Sequence, residues 1–173
     1  MPYTHLLNMT DSPAHEEICS ECGMRSRVGQ PNCSALRDNL SARDFEQPVP
    51  YWKYHRLAVD AYCVQHSSYV ASSKSLAAHL CGLCVALEQN NDPNKLKQLQ
   101  LWLSTNPKLP KPVLPHFRGN LTIVDVSGIR DAVSYGLAVE AWARSAWEAY
   151  RILQPIAREW LATALCGNYP PGR

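Results

Sequence analysis

Three cysteines near the start of the chain have the types and spacing of metal ligands. Cys19 and Cys22 are separated by two residues, and Gly23 follows them. This CxxCG spacing puts two sulfurs on one side of a tight turn, and glycine permits the positive φ that such turns use. A redox CxxC usually opens a helix after a strand, and the sequence predicts no strand here. Cys33 supplies a third thiolate, so we predict a zinc site.

The fourth ligand must come from a later part of the chain. The candidates are His55, Cys63, His66, His79 and the pair Cys81 and Cys84 of a second CxxC. His55 and His66 lie on one face of a predicted helix but roughly 16 Å apart along its axis. Zinc–nitrogen bonds of about 2 Å cannot span that distance. At most one of these two histidines can therefore join the site.

The predicted helices over residues 34–45 and 51–66 indicate which histidine this is. A proline-rich turn joins them, so they should run antiparallel as a hairpin. Cys33, at the start of the first helix, then lies beside the end of the second, which carries His66. We favour His66 as the fourth ligand. If the hairpin is not antiparallel, His55 replaces it.

The other candidate side chains have structural interpretations as well as functional ones. His55 faces inward and is either a hydrogen-bonded histidine at the edge of the core or part of a polar site. In the second case its partner is Asp60 or an acid from another helix. Cys63, Cys81 and Cys84 lie within apolar helical patterns and are predicted to be small buried thiols.

The elements that must position these residues are mainly helices. Apolar residues recur at helical spacing over residues 34–45, 51–66, 73–89, 93–105, 135–151 and 155–165. Residues 121–124 suit a short strand, or alternatively Asp125 caps a short helix that ends near Val133. We predict a mainly α, single-domain helical bundle over residues 16–166, with the zinc knuckle at 16–33. Residues 1–15 are predicted to be a flexible leader and 167–173 a tail.

Composition narrows the class of protein. The 173 residues are 46% hydrophobic and 18% charged, which is a globular balance. The net charge of +2 is too small to indicate nucleic acid or an anionic membrane as a partner. No stretch reaches the roughly 18 apolar residues of a membrane span, and residues 1–14 contain no apolar signal core. We therefore predict a cytoplasmic protein whose cysteines are thiols or metal ligands.

The block His55-Arg-Leu-Ala-Val-Asp-Ala-Tyr-Cys-Val-Gln-His66 resembles a known family. With the CxxCG and the later lone cysteine, it is similar to a family of small bacterial proteins catalogued as domain of unknown function 5946. That family shows the pattern H-x-L-x-V-x-x-Y-x-x-Q-H. The similarity extends from Cys19 to Leu161, and one departure is Ser67, where the family often has proline. The resemblance implies a zinc site and no particular activity.

Three functions are compatible with these features. The first is a non-catalytic, zinc-stabilised module that acts through contacts with another protein. The second is a metal-dependent enzyme with three protein ligands, an open zinc position, and Asp60 or Glu21 as a base. The third is nucleic-acid binding through Arg25, Arg27 and Arg37 beside the knuckle. No membrane partner is expected.

Overall fold

The structure, a computed structural model, describes residues 16–167 and confirms a mainly α fold class. Its sheet pairs β1 (Glu16–Ile18) with β2 (Arg25–Arg27), and its helices are α1 (Cys33–Glu46), α2 (Pro48–Gln65), α3 (Ser73–Glu88), α4 (Pro93–Ser104), α5 (Val124–Ser127), α6 (Ala132–Ala149) and α7 (Gln154–Cys166). The predicted leader, and the predicted tail beyond Gly167, lie outside the described residues. None of the helices between residues 16 and 167 is long and apolar enough to cross a membrane.

Side-chain caps fix where four of these helices begin. In each case an oxygen accepts a hydrogen bond from a backbone amide of the first turn, and the capping residues are Asn32, Ser72, Asp92 and Asp131. Such a cap contributes about 1 kcal/mol to helix stability. The cap at Asn32, whose Oδ1 lies 2.9 Å from the amide of Ala35, makes Cys33 the first residue of α1.

The core lies where α2 and α3 pack against each other and against α6. The leucine stripe of α3 contributes Leu76, Leu80 and Leu83, all fully buried, and α6 contributes Trp142. α1 covers one side of α2, while α7 packs on α3 and α4. Burial of these apolar side chains, at about 25 cal/mol per Å², is the main force that holds the helices together.

Gln65 attaches the long connection between α4 and α5 to the core. Its side chain is fully buried, and its Nε2 donates to the carbonyls of Arg118 at 2.9 Å and Leu121 at 2.7 Å. Its Oε1 accepts a hydrogen bond of 2.9 Å from the indole of Trp142. Both ends of the amide are therefore satisfied, as burial of a polar group requires.

Residues 121–124 do not form a strand; the alternative, a short helix, is the one found, but it ends at Ser127 and not near Val133. The chain turns into α5, and Ile123, just before this helix, and Val126 within it are both buried at a spacing of three residues. Asp125 is not the cap of this helix, because it lies in its first turn and accepts a hydrogen bond of 2.7 Å from the amide of Thr122. A four-residue segment with three apolar side chains is too short for periodicity to separate the two structures.

Candidate metal centre

The CxxCG motif forms the turn of the β1–β2 hairpin. The strands pair antiparallel, and across the turn the amide of Cys19 donates to the carbonyl of Met24 at 2.9 Å. Gly23 has a φ of 75° and donates to the carbonyl of Cys19 at 2.9 Å. The expectation that no strand precedes the motif was wrong. The chain nevertheless returns as β2 rather than entering a helix, which is the arrangement of a metal knuckle and not of a redox motif.

The N-terminus of α1 carries the third cysteine of the cluster. Cys33 is buried, and its Sγ lies 3.5 Å from the Sγ of Cys19. The first turn of a helix has unpaired N–H groups and a positive dipole end, which favour a thiolate. The contact between the knuckle and α1 is therefore made by the sulfur atoms of Cys19 and Cys33.

His66 ends α2 beside these thiols and is 3% exposed. Its Nδ1 lies 2.7 Å from the carbonyl oxygen of Tyr62, and its ring stacks on the ring of Tyr62 at 4.0 Å. A carbonyl only accepts hydrogen bonds, so Nδ1 carries the hydrogen and the lone pair remains on Nε2. That Nε2 is 3.3 Å from the Sγ of Cys33 and 3.9 Å from the Sγ of Cys19.

The four residues together form a compact set of donor atoms that could hold a metal ion. The ligand atoms of Cys19, Cys22, Cys33 and His66 all lie within 4.8 Å of one another. In a tetrahedral zinc site, bonds of about 2.3 Å to sulfur and 2.05 Å to nitrogen give edges of roughly 3.8 Å and 3.6 Å. The observed separations of 3.3–3.9 Å in the preceding contacts are close to those edges.

Burial sets the electrostatics of the cluster. It raises the pKa of Cys22 and of Cys33, and it lowers the pKa of His66, which favours the neutral imidazole that binds metals. Burial also opposes ionisation of Cys19, but hydrogen bonds from the backbone of Cys22 and Glu21 outweigh it and lower that pKa. A cation at the centre would compensate the charge of thiolates crowded in this way.

Glu21, between the two knuckle cysteines, joins the knuckle to the turn after α2. Its carboxylate accepts hydrogen bonds from the hydroxyl of Ser67 and, at 3.3 Å, from the amide and the hydroxyl of Ser68. Sequence analysis missed this contact, because no local pattern relates residues more than forty positions apart. It also gives Ser67 a role that proline, which lacks a donor, could not fill.

His55 and Asp60 lie outside the cluster, as do the remaining buried cysteines. Nδ1 of His55 lies 3.0 Å from a carboxylate oxygen of Asp44 on α1, so its acidic partner does come from another helix. Asp60 instead pairs with Nδ1 of His79 on α3 at 2.9 Å. Cys63, like both cysteines of the second CxxC, is a buried free thiol of the core.

The protein is therefore a helical protein in which three thiols and one imidazole form a set of donors that could hold a metal ion. Residues 17–151 match the Family of unknown function (DUF5946), and the chain belongs to this family. The resemblance noted from the signature is thereby confirmed. No curated protein matches the chain, and neither does any solved structure.

Proposed function

We propose that Cys19, Cys22, Cys33 and His66 bind one Zn²⁺ and that this ion is structural. The observation that supports this best is the closed donor set, four protein ligands within 4.8 Å of one another. Structural zinc sites have four protein ligands, whereas catalytic sites keep a position for water or substrate. The protein is then a zinc-stabilised helical module whose function is performed by surfaces other than the metal.

The chemistry of the donors favours zinc among the common cations. Thiolate sulfur selects soft or borderline metals, and imidazole nitrogen suits zinc, copper, iron and nickel. A set of three thiolates and one imidazole in tetrahedral arrangement is a recurring structural zinc site. Calcium and magnesium, which prefer oxygen donors, do not fit.

The packing of the knuckle indicates what the ion would stabilise. All three residues of β1 are exposed, and the buried apolar side chains of the hairpin are those of Cys22 and Met24. So little buried apolar surface cannot offset the conformational entropy of ordering about 17 residues, at about 1–2 kcal/mol each. Structural zinc supplies about 10–16 kcal/mol in small knuckles, and we infer that it does so here.

The two alternative functions have less support. An open catalytic zinc would need a free base, but Glu21 is bonded to the serines after α2, and Asp60 is paired with His79. For nucleic acid, Arg25 and Arg37 are each paired with a carboxylate, which reduces the positive field beside the knuckle. The protein partner expected from the sequence stays a prediction.

Metal content and coordination number test the proposal. The purified protein should contain about one zinc per chain, and Cys22→Ser should lose it, while Cys166→Ser, a change at an exposed thiol outside the cluster, should retain it. Cobalt substitution should give the intense visible bands of a four-coordinate, thiolate-rich site. Chelation should unfold residues 16–32 in hydrogen exchange. A metal with an exchangeable water ligand, or zinc unaffected by Cys22→Ser, would refute the structural role.

A further inference from the structure

A cavity of about 420 Å³ opens between α2, α3 and α4, outside the metal centre. Its volume is within the range of small-molecule sites, roughly 300–1,000 Å³. Its walls combine apolar side chains, among them Val59, Leu99 and Leu103, with four charged or titratable groups of α2 and α3, namely His55, Arg56, Asp60 and His79. Mostly apolar walls with a few convergent polar groups are typical of ligand pockets.

Asp60 organises the charged side of this cavity. It is 2% exposed, and its two carboxylate oxygens accept from Nδ1 of His79 at 2.9 Å and from Nε of Arg56 at 3.2 Å. Burial alone would lower the pKa of His79, but hydrogen bonds to Asp60 and Cys63 raise it to about 9. One carboxylate therefore faces two cationic groups at neutral pH, and Arg56, Asp60 and His79 together carry one net positive charge.

Arg56 supplies the donors that are available to a ligand. Among residues 16–167 it donates to Asp60 through Nε, which leaves its two terminal nitrogens available in a side chain that is 36% exposed. Terminal guanidinium nitrogens pair with carboxylates in a planar, directional way. The buried Asp60 holds this guanidinium beside the apolar wall.

His55 and Trp52 line the cavity with flat rings. The two rings are stacked, with centroids 4.8 Å apart and an interplanar angle of 11°. His55 is held in place through Nδ1 by Asp44, which is 1% exposed and is itself paired with Arg43 at 3.1 Å. A fixed ring pair of this kind suits a planar apolar group.

We propose that this cavity binds a small organic monocarboxylate with an aromatic body, its carboxylate on the terminal nitrogens of Arg56 and its body against Leu99 and Leu103. A single negative charge matches the one net positive charge of Arg56, Asp60 and His79, whereas a phosphate monoester would bring nearly two. The site shares no residue with the proposed zinc ligands. It goes beyond the structural role of the metal and does not depend on it.

Calorimetric titration of the zinc-loaded full chain tests the site with 2-naphthoate and its neutral counterpart, 2-naphthamide. We expect naphthoate to bind at least about tenfold more tightly than the amide, because only the carboxylate forms charge-assisted hydrogen bonds. Arg56→Gln should weaken naphthoate binding by about tenfold or more. Lys97→Gln removes the same charge from an exposed position of α4 and should leave binding unchanged.

Several results would overturn the proposal. They are equal affinity for the acid and the amide, no binding of naphthoate at millimolar concentration, and binding that Arg56→Gln leaves intact. Tighter binding of naphthyl phosphate than of naphthoate would also overturn the choice of a carboxylate.

If Arg56→Gln does not fold, chemical-shift changes in the unmodified protein decide the question, since they must centre on His79 and Leu99 and be absent with the amide. Zinc content, measured in each sample, separates these outcomes from a failure of the metal proposal.

Discussion

The carboxylate of Asp60 occupies the space in which a side chain at Gly82 would lie. A Cβ built at Gly82 would be 2.2 Å from Oδ2 of Asp60 and 2.8 Å from its Cγ. The missing side chain in α3 thus lets a buried carboxylate of α2 approach the helix backbone. This close approach brings Asp60 within hydrogen-bond distance of His79.

Gly82→Ala should therefore destabilise the protein although alanine is the better helix former. The gain of about 1 kcal/mol in helix propensity is opposed by displacement of Asp60 from its two cationic partners. We expect a net loss of about 2–4 kcal/mol in the free energy of unfolding, measured by denaturant titration. In an Asp60→Ala background the same change should cost much less, because the colliding atoms are gone. Equal costs in both backgrounds would contradict this account.

The stability that His79 contributes should decrease at alkaline pH. Its pKa is raised from its usual value of 6.5 to about 9, so protonation favours the folded state. The contribution is fully present below about pH 6.5 and is lost as the pH rises through about 9, and it amounts to about 3 kcal/mol at most. The difference in unfolding free energy between the unmodified protein and His79→Gln should shrink over this window. A difference that stays constant from pH 6 to 10 would refute the pairing.

Nitrogen NMR of the zinc-loaded protein should identify one tautomer of His66. The carbonyl of Tyr62 requires the hydrogen on Nδ1, so we expect a protonated Nδ1 and a metal-bound Nε2. His66→Ala should weaken zinc binding by at least about a hundredfold, measured by competition with a chromophoric chelator. His66→Cys should restore most of the affinity as a four-thiolate site. A hydrogen on Nε2 would be incompatible with the proposed coordination.

Gly23 and Gly128 offer a matched pair for testing backbone strain in the knuckle. A Cβ at either position would meet no atom of the described chain within 4 Å, but the φ of Gly23 is 75° and that of Gly128 is −84°. Gly23→Ala should cost about 1–2 kcal/mol and weaken zinc binding accordingly. Gly128→Ala should be neutral or stabilising by up to about 1 kcal/mol. Identical effects of the two changes would show that strain is not the cause.

Gln65→Leu should loosen the connection between α4 and α5. The substitution leaves the carbonyls of Arg118 and Leu121 and the indole N–H of Trp142 without their partner. Buried groups left unsatisfied cost about 1–3 kcal/mol each, so a total loss of about 3 kcal/mol or more is expected. Hydrogen exchange should accelerate at residues 118–121 before it does in α3. Unchanged exchange there would contradict the anchoring role.

The candidate metal centre could be predicted from the sequence because local rules bring its four residues together. Helical periodicity and the prolines predicted an antiparallel helix pair, and that alone puts Cys33 beside His66. The rise per residue of an α-helix then keeps His55 and His66 too far apart to share one ion, independently of how the other helices pack. The structure has the donor atoms together, as this reasoning requires.

The polar pairs beside the cavity were not accessible in the same way. Asp44 with His55, and Asp60 with His79, join different helices, and such contacts depend on how each helix is rotated against its neighbour. Periodicity gives the buried face of a helix but not that rotation. The strand β1 was missed because its three exposed residues show no alternation of apolar and polar side chains.

The spread of the cluster along the chain has a consequence for biosynthesis. Cys19 and His66 are 47 residues apart, and His66 is the last of the four to leave the ribosome. A nascent chain that ends before α2 is complete contains the three cysteines of the cluster but not His66. Closing a loop of this length costs a few kcal/mol, well below the roughly 10–16 kcal/mol of structural zinc binding. If the four residues bind zinc as proposed, capture of the fourth donor would coincide with the docking of α2 on α1.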